Sequence, residues 1–384
     1  MNLLSSICQA AYGQGSYSGS ESAVLRHVAD CQTERMGVNS MDCESCGHVE
    51  LHYNSCRDRH CPLCQGSLRE RWVRKRLEEL LPVPYFHVVF TIPKELVGFA
   101  SINKRRFYSL LFRTVHRTLL SVASRSENLG AEVGGMSILH TWDQKLGFHP
   151  HIHCIVPAGG MDTSGMQWKG TSDRFFLAVR KLSLVFRGKL LSGLERCLAK
   201  GVLEGDPSKI RQALILAAKK DFVVYCKPPF GGPEQVLKYL GRYTHRVGIS
   251  EQRIVQFEQG VVSFSWVDRK EHHARKVLSL PLDEFVRRFL THLLPRGFRK
   301  IRYFGFMANR DRTISLKRVR SSIAASLSEV ERLLPDAANV AVAKRYAQER
   351  EALYWNQCPL CGGRLSCRRQ GESSFLPSQT SSPG

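Results

Sequence analysis

The pattern of apolar and polar residues predicts an ordered alternation of helices and strands. From Gln65 to Leu81, apolar residues recur among charged ones at helical spacing, and Pro82 and Pro84 end the pattern. Tyr85 to Ile92 is largely β-branched and aromatic, which is typical of a buried strand. Lys104 to Val122 predicts a helix with a basic face.

The rest of the central region continues this alternation. Its predicted elements are strands over Met136 to Trp142 and His151 to Val156, mostly helix over Trp168 to Asp221, a strand over Phe222 to Tyr225, a short helix over Glu234 to Tyr243 and a hairpin over Ile254 to Trp266. Strands joined by hairpins and interleaved with helices favour an α+β fold with a largely antiparallel sheet.

Composition and charge narrow the possible partners. The chain has 384 residues, of which 43% are hydrophobic, so it can form real cores. Lysine and arginine number 56 against 34 acidic residues, a net charge of +22 that indicates a polyanionic partner such as nucleic acid. We see no apolar run that could span a bilayer and no secretory signal, so we expect a cytoplasmic protein without a membrane partner.

The cysteines are clustered in a way that predicts metal binding. Cys43 and Cys46 form one Cys-x-x-Cys pair, and Cys61 and Cys64 form a second one after a short gap. Two such pairs can close one tetrahedral structural zinc site, with the intervening segment as a hairpin. Three nearby residues could be ligands of a second zinc site: Cys31, Cys56 and His60. Whether this site exists is left undecided, because a fourth ligand is missing.

Another cysteine cluster lies near the end of the chain. Cys358 and Cys361 form a third Cys-x-x-Cys pair, and Cys367 follows. The cluster either takes a fourth ligand from elsewhere in the fold or holds no metal. The residues after Ser373 are rich in Ser, Pro and Gly, which predicts a disordered tail.

Two histidines form the candidate catalytic metal site. His151 and His153 are two residues apart in a predicted strand, so both face the same side while Ile152 faces the other. Gln144, near the end of the partner strand, is the candidate third ligand. Its rivals are Asp143, His140 and His149, and the alternative is an exposed or structural pair of histidines.

Two tyrosines are the candidate nucleophiles. Tyr239 and Tyr243 are four residues apart, so on a helix they share one face, and Arg242 and Arg246 flank them with positive charge. Such pairs are often core residues, but the neighbours here are polar and cationic. A tyrosine phenolate beside a histidine-bound cation can attack a DNA phosphodiester.

At this point the sequence resembles the two-tyrosine HUH rolling-circle transposases of bacterial insertion sequences. The resemblance rests on the His151-Ile-His153 signature and on five further stretches that occur in order, from Cys31 to about Cys361: Ser55 to Cys64, Phe86 to Pro93, Pro229 to Glu234, Tyr239 to Arg246 and Ile301 to Arg310.

The resemblance implies both a fold and a reaction. The fold is a HUH-type nuclease domain with a central antiparallel β-sheet flanked by helices, preceded by a small zinc-binding domain. The reaction is Mg²⁺- or Mn²⁺-dependent cleavage of single-stranded DNA through a 5′-phosphotyrosine link, with no nucleotide cofactor. Tyr239 and Tyr243 would be the nucleophiles, His151, His153 and Gln144 the ligands of the catalytic ion, and Zn²⁺ the structural ion.

The predicted organisation is a zinc-binding DNA-recognition domain over residues 1–81, a nuclease domain over 82–325, and a helical segment over 326–384 with the C-terminal cysteines and the tail. The expected partners are single-stranded DNA and transposon-end DNA. Cations alternate with aromatic rings between residues 296 and 320, which predicts either a DNA track or a basic surface over a core strand. The DNA-binding candidates are Arg242, Arg246, Arg299, Arg302 and Arg310.

Two other functions stay open at the level of sequence. His272, Arg275 and Tyr303 faintly resemble the residues of metal-independent tyrosine recombinases, which attach the 3′-phosphate to tyrosine. Alternatively, the protein is a zinc-ribbon DNA-binding protein without catalysis. Metal dependence and the identity of the blocked DNA end separate these possibilities.

Overall fold

The structure is a computed structural model of the full chain. It describes residues 2–15, 17–66, 69, 72–73, 76, 79–171, 176–227, 241, 247–268, 270–326 and 357–368. The chain divides into two compact units, one formed by residues 1–65 with 345–384 and the other by residues 66–344. Among the described residues, none of the helices combines the length and hydropathy that a bilayer crossing requires.

The first unit combines a helical pair with a small antiparallel sheet. Its elements are α1 (Leu3–Gln14), α2 (Gly19–Asp30), β1 (Val38–Cys43), β2 (Val49–Tyr53) and β13 (Leu365–Arg368). The Asn2 side chain caps α1 by accepting a hydrogen bond from the Ser5 amide at 2.8 Å. The sheet order is β13-β1-β2, so a strand from the end of the chain pairs with a strand from its beginning.

The second unit contains the remaining elements. They are β3 (Tyr85–Thr91), α3 (Val97–Ile102), α4 (Lys104–Ala123), β4 (Gly135–Trp142), β5 (Phe148–Pro157), β6 (Gly159–Met161), β7 (Trp168–Gly170), α5 (Val179–Ala199), α6 (Pro207–Ala218), β8 (Val224–Lys227), β9 (Ile254–Glu258), β10 (Val261–Asp268), β11 (Ala274–Pro281), α7 (Leu282–Thr291), β12 (Ile301–Phe304) and α8 (Arg312–Ser326). Short 3-10 turns occupy Glu34–Met36, Lys94–Leu96, Glu251–Arg253 and Gly305–Met307.

A five-stranded antiparallel sheet forms the centre of the second unit. Its order is β12-β4-β5-β3-β8. One face is apolar and packs on α4 and α5 through fully buried residues such as Phe90, Ile152 and Phe186. This arrangement confirms the predicted α+β fold with a central antiparallel sheet flanked by helices.

The opposite face of this sheet carries a different set of residues. Directly paired residues share a face, so the β-ladder places Tyr303, Met136, Ile155 and His87 in one row across the sheet. The row formed by Ile138, His153 and Val89 follows, and then the row formed by His140, His151 and Thr91. We call this face the histidine face.

A second sheet of three strands lies beyond β8 in sequence. Its order is β11-β10-β9, and the predicted hairpin over Ile254 to Trp266 corresponds to β9 and β10. Phe264 packs on Phe285 of α7, with ring centroids 5.8 Å apart, so the helix covers one side of this sheet. Strand β11 was not predicted, and Trp168–Gly170 is a strand where the pattern predicted helix.

The boundary between the units differs from the predicted one. The predicted zinc-binding domain extended to residue 81, whereas the first unit ends at residue 65 and the second begins at residue 66. Trp72 and Arg76 line a pocket together with Met136 and Tyr303. The C-terminal strand, predicted to follow the nuclease domain as a separate segment, belongs to the first unit. The predicted helical segment over residues 327–356 and the tail from 369 lie outside the described residues.

Candidate active site

Three histidines converge on the histidine face of the central sheet. His151 and His153 lie on β5, and Ile152 between them is buried against the helices, as the alternation of a strand requires. His140 on β4 lies directly opposite His151. One ring nitrogen from each of the three histidines lies within 4.8 Å of the others, so the sheet register brings three imidazoles to one point.

Hydrogen bonds fix the orientation of two of these rings. His151 Nδ1 lies 2.7 Å from the main-chain oxygen of His149. A carbonyl oxygen only accepts, so this nitrogen carries the proton and Nε2 keeps its lone pair in the neutral ring. His153 Nδ1 lies 2.7 Å from Nε2 of His87, and these two rings stack with centroids 5.0 Å apart. His87 therefore orients His153 from the neighbouring strand β3.

The surroundings keep the supporting imidazole of His87 uncharged. Burial, together with the nearby charge of Lys227, lowers the pKa of His87 to about 3. Burial also lowers the pKa of His149. A neutral imidazole can bind a metal ion or accept a hydrogen bond from a ligand ring, so this environment suits a cation site.

The imidazole of His140 is the third side chain at this point. Gln144, predicted as the third ligand, lies in the turn after β4, where its main-chain oxygen accepts a hydrogen bond from the Arg253 guanidinium. His140, treated as a rival, is the residue that converges with His151 and His153. Asp143, another rival, accepts hydrogen bonds from the Lys145 and Gly147 amides at 2.8 and 2.7 Å and so organises the turn itself.

The three histidines fit a divalent ion with exchangeable positions. His140 and His153 are buried, whereas His151 is partly open to solvent. Three protein ligands leave further coordination positions for phosphate or water. Imidazole nitrogen is a softer ligand than the oxygen atoms that Mg²⁺ prefers.

The candidate nucleophiles are outside the described part of the chain. This applies to Tyr239 and Tyr243 and to their neighbours Arg242 and Arg246. Gly241, which separates the two tyrosines in sequence, is described and helical. A Cβ added to Gly241 would lie 3.1 Å from Cγ2 of Val73, so the absent side chain allows a close approach to Val73 and Arg69.

The arginines predicted to bind DNA lie in two places. Arg302 extends from β12 over the rings of Phe112 and Phe298, 4.4 and 4.9 Å from their centroids, on the helix-covered side of the sheet. Burial lowers the pKa of Arg302, and the nearby charges of Arg113 and Arg299 lower it further. Arg310 is exposed and lies 3.5 Å from the carboxylate of Asp311.

The aromatic rings of this segment do not form a stacking surface for bases. Phe298, Phe304 and Phe306 are buried. Tyr303 is covered by the guanidinium of Arg312, 4.4 Å from its ring centroid. Of the two interpretations of this segment, a DNA track with stacked bases or a basic surface over a core strand, the rings support the second.

The zinc ligands divide differently from the prediction. Cys61 and Cys64 form a group with Cys31 and Cys56, in which the four sulfurs lie within 4.8 Å of one another. Cys43 and Cys46 belong to another group, which includes Cys358 and Cys361. The sequence predicted one site for Cys43, Cys46, Cys61 and Cys64, whereas the structure places the two pairs in different groups, because adjacent pairs in sequence face different partners in space.

The first of these groups fits a structural zinc ion. Four thiolates at tetrahedral zinc lie about 3.8 Å apart, as follows from a Zn–S distance of about 2.3 Å. Cys56 and Cys64 have their sulfurs 3.7 Å apart. The Cys56 amide donates to the Cys31 sulfur at 3.5 Å, and the Asp58 amide donates to the Cys56 sulfur at 3.4 Å. Such N–H donors stabilise thiolate charge, which is the form that binds metal.

The residues that suggested a tyrosine recombinase are not assembled into a site. His272 lies in the turn between β10 and β11, in the three-stranded sheet. Tyr303 lies in β12 of the central sheet, where its hydroxyl is 3.2 Å from Nη1 of Arg76. Burial raises the pKa of Tyr303, which disfavours the phenolate that a nucleophile requires.

Comparison with known proteins places both parts of the chain in a transposase. Residues 4–92 match the family model described as "Transposase zinc-binding domain". Residues 134–313 match the model described as "Putative transposase". Among solved structures, the conjugative relaxase TrwC bound to oriT DNA in its metal-bound form aligns with 41% of this chain and 70% of its own, at 14% identity and a TM-score of 0.25.

Two relatives match most of this chain. One is "Putative transposase y4qJ" of Sinorhizobium fredii (strain NBRC 101917 / NGR234), 42% identical over 90% of this chain and 88% of its own. The other is "Transposase for insertion sequence element IS801" of Pseudomonas savastanoi pv. phaseolicola, 30% identical over 77% of this chain and 72% of its own. The chain therefore belongs to the two-tyrosine transposases of bacterial insertion sequences that begin with a zinc-binding domain.

Proposed function

We propose that this transposase nicks single-stranded DNA at transposon ends and transfers the strand through a 5′-phosphotyrosine intermediate, in a reaction that requires a divalent ion. The observation that carries the proposal is the convergence of His140, His151 and His153 on one face of the central sheet. Three convergent imidazoles at a partly open position, two of them oriented by hydrogen bonds, are what a metal-assisted phosphoryl transfer needs from a protein.

In this proposal each side chain has a defined role. His140, His151 and His153 hold the ion, while His87 and the carbonyl of His149 keep two of the rings in place. The ion supplies charge stabilisation at the scissile phosphate. The phenol of Tyr239 or Tyr243 gives up its proton as its oxygen attacks phosphorus, and the bond between phosphorus and the DNA 3′-oxygen breaks. The 3′-oxygen takes up one proton to become a free 3′-OH, so the number of protons is unchanged. Attack by a 3′-OH on the phosphotyrosine reverses these steps and completes the transfer.

The position of Gly241 supports the assignment of the tyrosines. Gly241 lies against Val73, and the neighbouring Trp72 and Arg76 line a pocket with Met136 on the histidine face. Gly241 itself therefore lies beside a segment whose described residues Trp72 and Arg76 line a pocket on the face that carries the histidines. A tyrosine segment attached on the helix-covered face would have been separated from the ion by the whole sheet.

DNA binding in this proposal is electrostatic. Arg113 and Arg299 lie close enough to Arg302 of the edge strand β12 to lower its pKa, and the three side chains form a cationic group there. We assign this group to the phosphate backbone rather than to the bases, because the adjacent rings are buried. The zinc-binding unit would recognise the transposon end.

The test is cleavage of an end-labelled single-stranded transposon terminus by the full-length protein. With Mn²⁺ we expect a covalent adduct on the DNA fragment whose 5′ end is created by the cut, together with a free 3′-OH on the other fragment. EDTA should abolish both products. A variant with Tyr239→Phe and Tyr243→Phe should bind the same DNA with unchanged affinity and form no adduct.

Each other outcome contradicts the proposal in a specific way. A 3′-phosphate adduct formed in EDTA would indicate a tyrosine recombinase. Cleavage that survives the double tyrosine substitution would exclude the tyrosines as nucleophiles. DNA binding without cleavage under any metal condition would indicate a DNA-binding protein without catalysis. The matched control is Tyr12→Phe, which removes an exposed phenol from α1 in the first unit and should leave cleavage unchanged.

A further inference from the structure

The two ends of the chain carry the same short sequence. Cys43 and Cys46 are followed by Gly47, and Cys358 and Cys361 are followed by Gly362, so both segments have the pattern Cys-x-x-Cys-Gly. Cys61 and Cys64 are followed by Gln65 and lack the glycine. We call the segments Cys43–His48 and Cys358–Gly363 the N-terminal knuckle and the C-terminal knuckle.

The two knuckles also have the same backbone conformation. The first cysteine amide donates to the carbonyl five residues later, at 2.8 Å from Cys43 to His48 and at 2.7 Å from Cys358 to Gly363. The glycine amide donates back to the first cysteine carbonyl, at 3.1 Å for Gly47 and 2.9 Å for Gly362. Both glycines are left-handed, with φ of +69° and +72°, a conformation that disfavours other residues.

The knuckles face each other with their thiols together. The Cys43 and Cys361 sulfurs are 3.5 Å apart, and the Cys46 and Cys358 sulfurs are 3.6 Å apart. All four sulfurs lie within 4.8 Å of one another. These separations approach the edge of about 3.8 Å expected for a tetrahedral four-thiolate zinc site.

Main-chain pairing supports this arrangement independently of the thiols. Strand β13 pairs antiparallel with β1, with Cys43 opposite Leu365. The Glu44 amide donates to the Arg364 carbonyl at 3.0 Å. Leu365, Cys43 and Cys358 form a small buried cluster on which Met41 packs. Each knuckle is therefore held in register with the other by hydrogen bonds and by a shared core.

We propose that Cys43, Cys46, Cys358 and Cys361 bind a second structural zinc ion, so that one ion is ligated by both ends of the chain. The C-terminal knuckle lies outside both matched family regions, residues 4–92 and 134–313. Four thiolates in a tetrahedron select zinc among the divalent ions that suit such a site. The ion would link residues 357–368 to the N-terminal residues of the same unit.

The proposal is tested by the zinc content of the purified full-length protein, measured by native mass spectrometry and by elemental analysis. We expect two zinc ions per wild-type chain and one after Cys358→Ser with Cys361→Ser. Cys43→Ser with Cys46→Ser should also leave one ion, and all four substitutions together should still leave one. This lack of additivity is the signature of a single ion shared by the two knuckles.

Two controls keep the result interpretable. Cys197→Ser with Cys226→Ser removes two cysteines from the second unit that belong to neither group, and this variant should retain two ions. Cys361→His keeps a ligand at the exposed corner of the site and should also retain two ions. If a serine variant fails to fold, the wild-type and Cys361→His zinc contents still decide the question.

The contradicting results are equally defined. One zinc ion in the wild-type protein would exclude the second site. Loss of all zinc on substitution of Cys43 and Cys46, with no effect of substituting Cys358 and Cys361, would restore the pairing of Cys43 and Cys46 with Cys61 and Cys64. Iron instead of zinc in the second site would contradict the assignment of the ion.

Discussion

The hydrogen bond between His87 and His153 gives the candidate site its least obvious residue. His87 lies on β3 and would reach an ion at this site only through His153, so in the proposed mechanism its role is to position the ring of His153. Partners of this kind fix the tautomer of a metal-binding histidine and raise its basicity. The short contact and the stacked geometry indicate a specific pairing of these two rings.

We expect His87→Phe to weaken Mn²⁺ binding about 10- to 100-fold, because the aromatic ring is kept while the hydrogen-bond partner of His153 is lost. Isothermal titration of the purified protein with Mn²⁺ measures this change directly. The matched control is His116→Phe. His116 is also shielded, with a pKa that burial lowers to about 4, but it bonds to Ser137 on the opposite face of the sheet. Equal Mn²⁺ affinity of the two variants would rule out a positioning role for His87.

Whether a residue belongs to the site was only partly predictable from sequence. The spacing of His151 and His153 is a local property of a strand, so both were identified. His140 could be named only as a rival of Gln144, because the choice depends on which residue of β4 lies opposite His151. His87 was missed as a site residue, since no local pattern shows that β3 is the neighbour of β5.

At the scale of elements, strand β5 contributes side chains to both faces of the central sheet. His151 and His153 point to the histidine face, and Ile152 is completely buried in the core on the other side. Packing of Ile152 against the helix layer therefore holds the segment of backbone from which both ligands project. The precision of the site depends on this side chain, although it touches no ligand.

We expect Ile152→Ala to lower the free energy of unfolding by about 2–5 kcal/mol, because it removes buried methyl groups and leaves a cavity. Urea denaturation followed by circular dichroism measures the change. Val255→Ala on β9 is the control, since this side chain is 53% exposed and its truncation should cost less than about 0.5 kcal/mol. A loss at Ile152 no larger than at Val255 would show that the helix layer does not support β5.

Strong periodic elements were predicted well, and weak ones were not. The strands β3, β4 and β5 and the helix α4 have continuous apolar patterns, and their predicted bounds are close to those observed. Strand β11 begins with Ala274, Arg275 and Lys276, whose residue types do not favour a strand. It forms because each of its residues pairs with a residue of β10. Its formation is a tertiary effect that local propensity does not contain.

At the scale of the whole molecule, the excess positive charge is the property most directly tied to DNA. The net charge of +22 predicts strong, salt-dependent binding to single strands. The group formed by Arg113, Arg299 and Arg302 is one candidate for where that charge is used. The effect of each arginine on salt dependence can be measured separately from its effect on cleavage.

We expect Arg113→Ala with Arg299→Ala to reduce the slope of log affinity against log salt by about 1.4, or about 0.7 for each lost phosphate contact. Fluorescence anisotropy with a labelled oligonucleotide at several salt concentrations measures the slope. Arg211→Ala with Arg187→Ala removes the same charge from the helices α5 and α6 and is the matched control. An equal decrease in both variants would mean that only net charge matters.

The pairing of the cysteines was beyond sequence analysis for a physical reason. Spacing along the chain shows which two cysteines form one Cys-x-x-Cys pair of a site. The second pair that completes the site can lie at any distance in the sequence. Here it comes from more than 300 residues away, since Cys43 and Cys361 are 318 residues apart. The shared glycine after Cys46 and Cys361 was a usable signal, because it marks the same turn in both segments.

The shared knuckle site has a consequence for how the protein is made. During synthesis the N-terminal residues of the first unit leave the ribosome first. The proposed second metal site, however, lacks half of its ligands until the C-terminal knuckle is translated. The intervening unit can fold in the meantime as an independent body. A transposase gene that has lost its 3′ end, as in a decayed copy of the element, would thus yield a chain whose first unit lacks half of the ligands of this site.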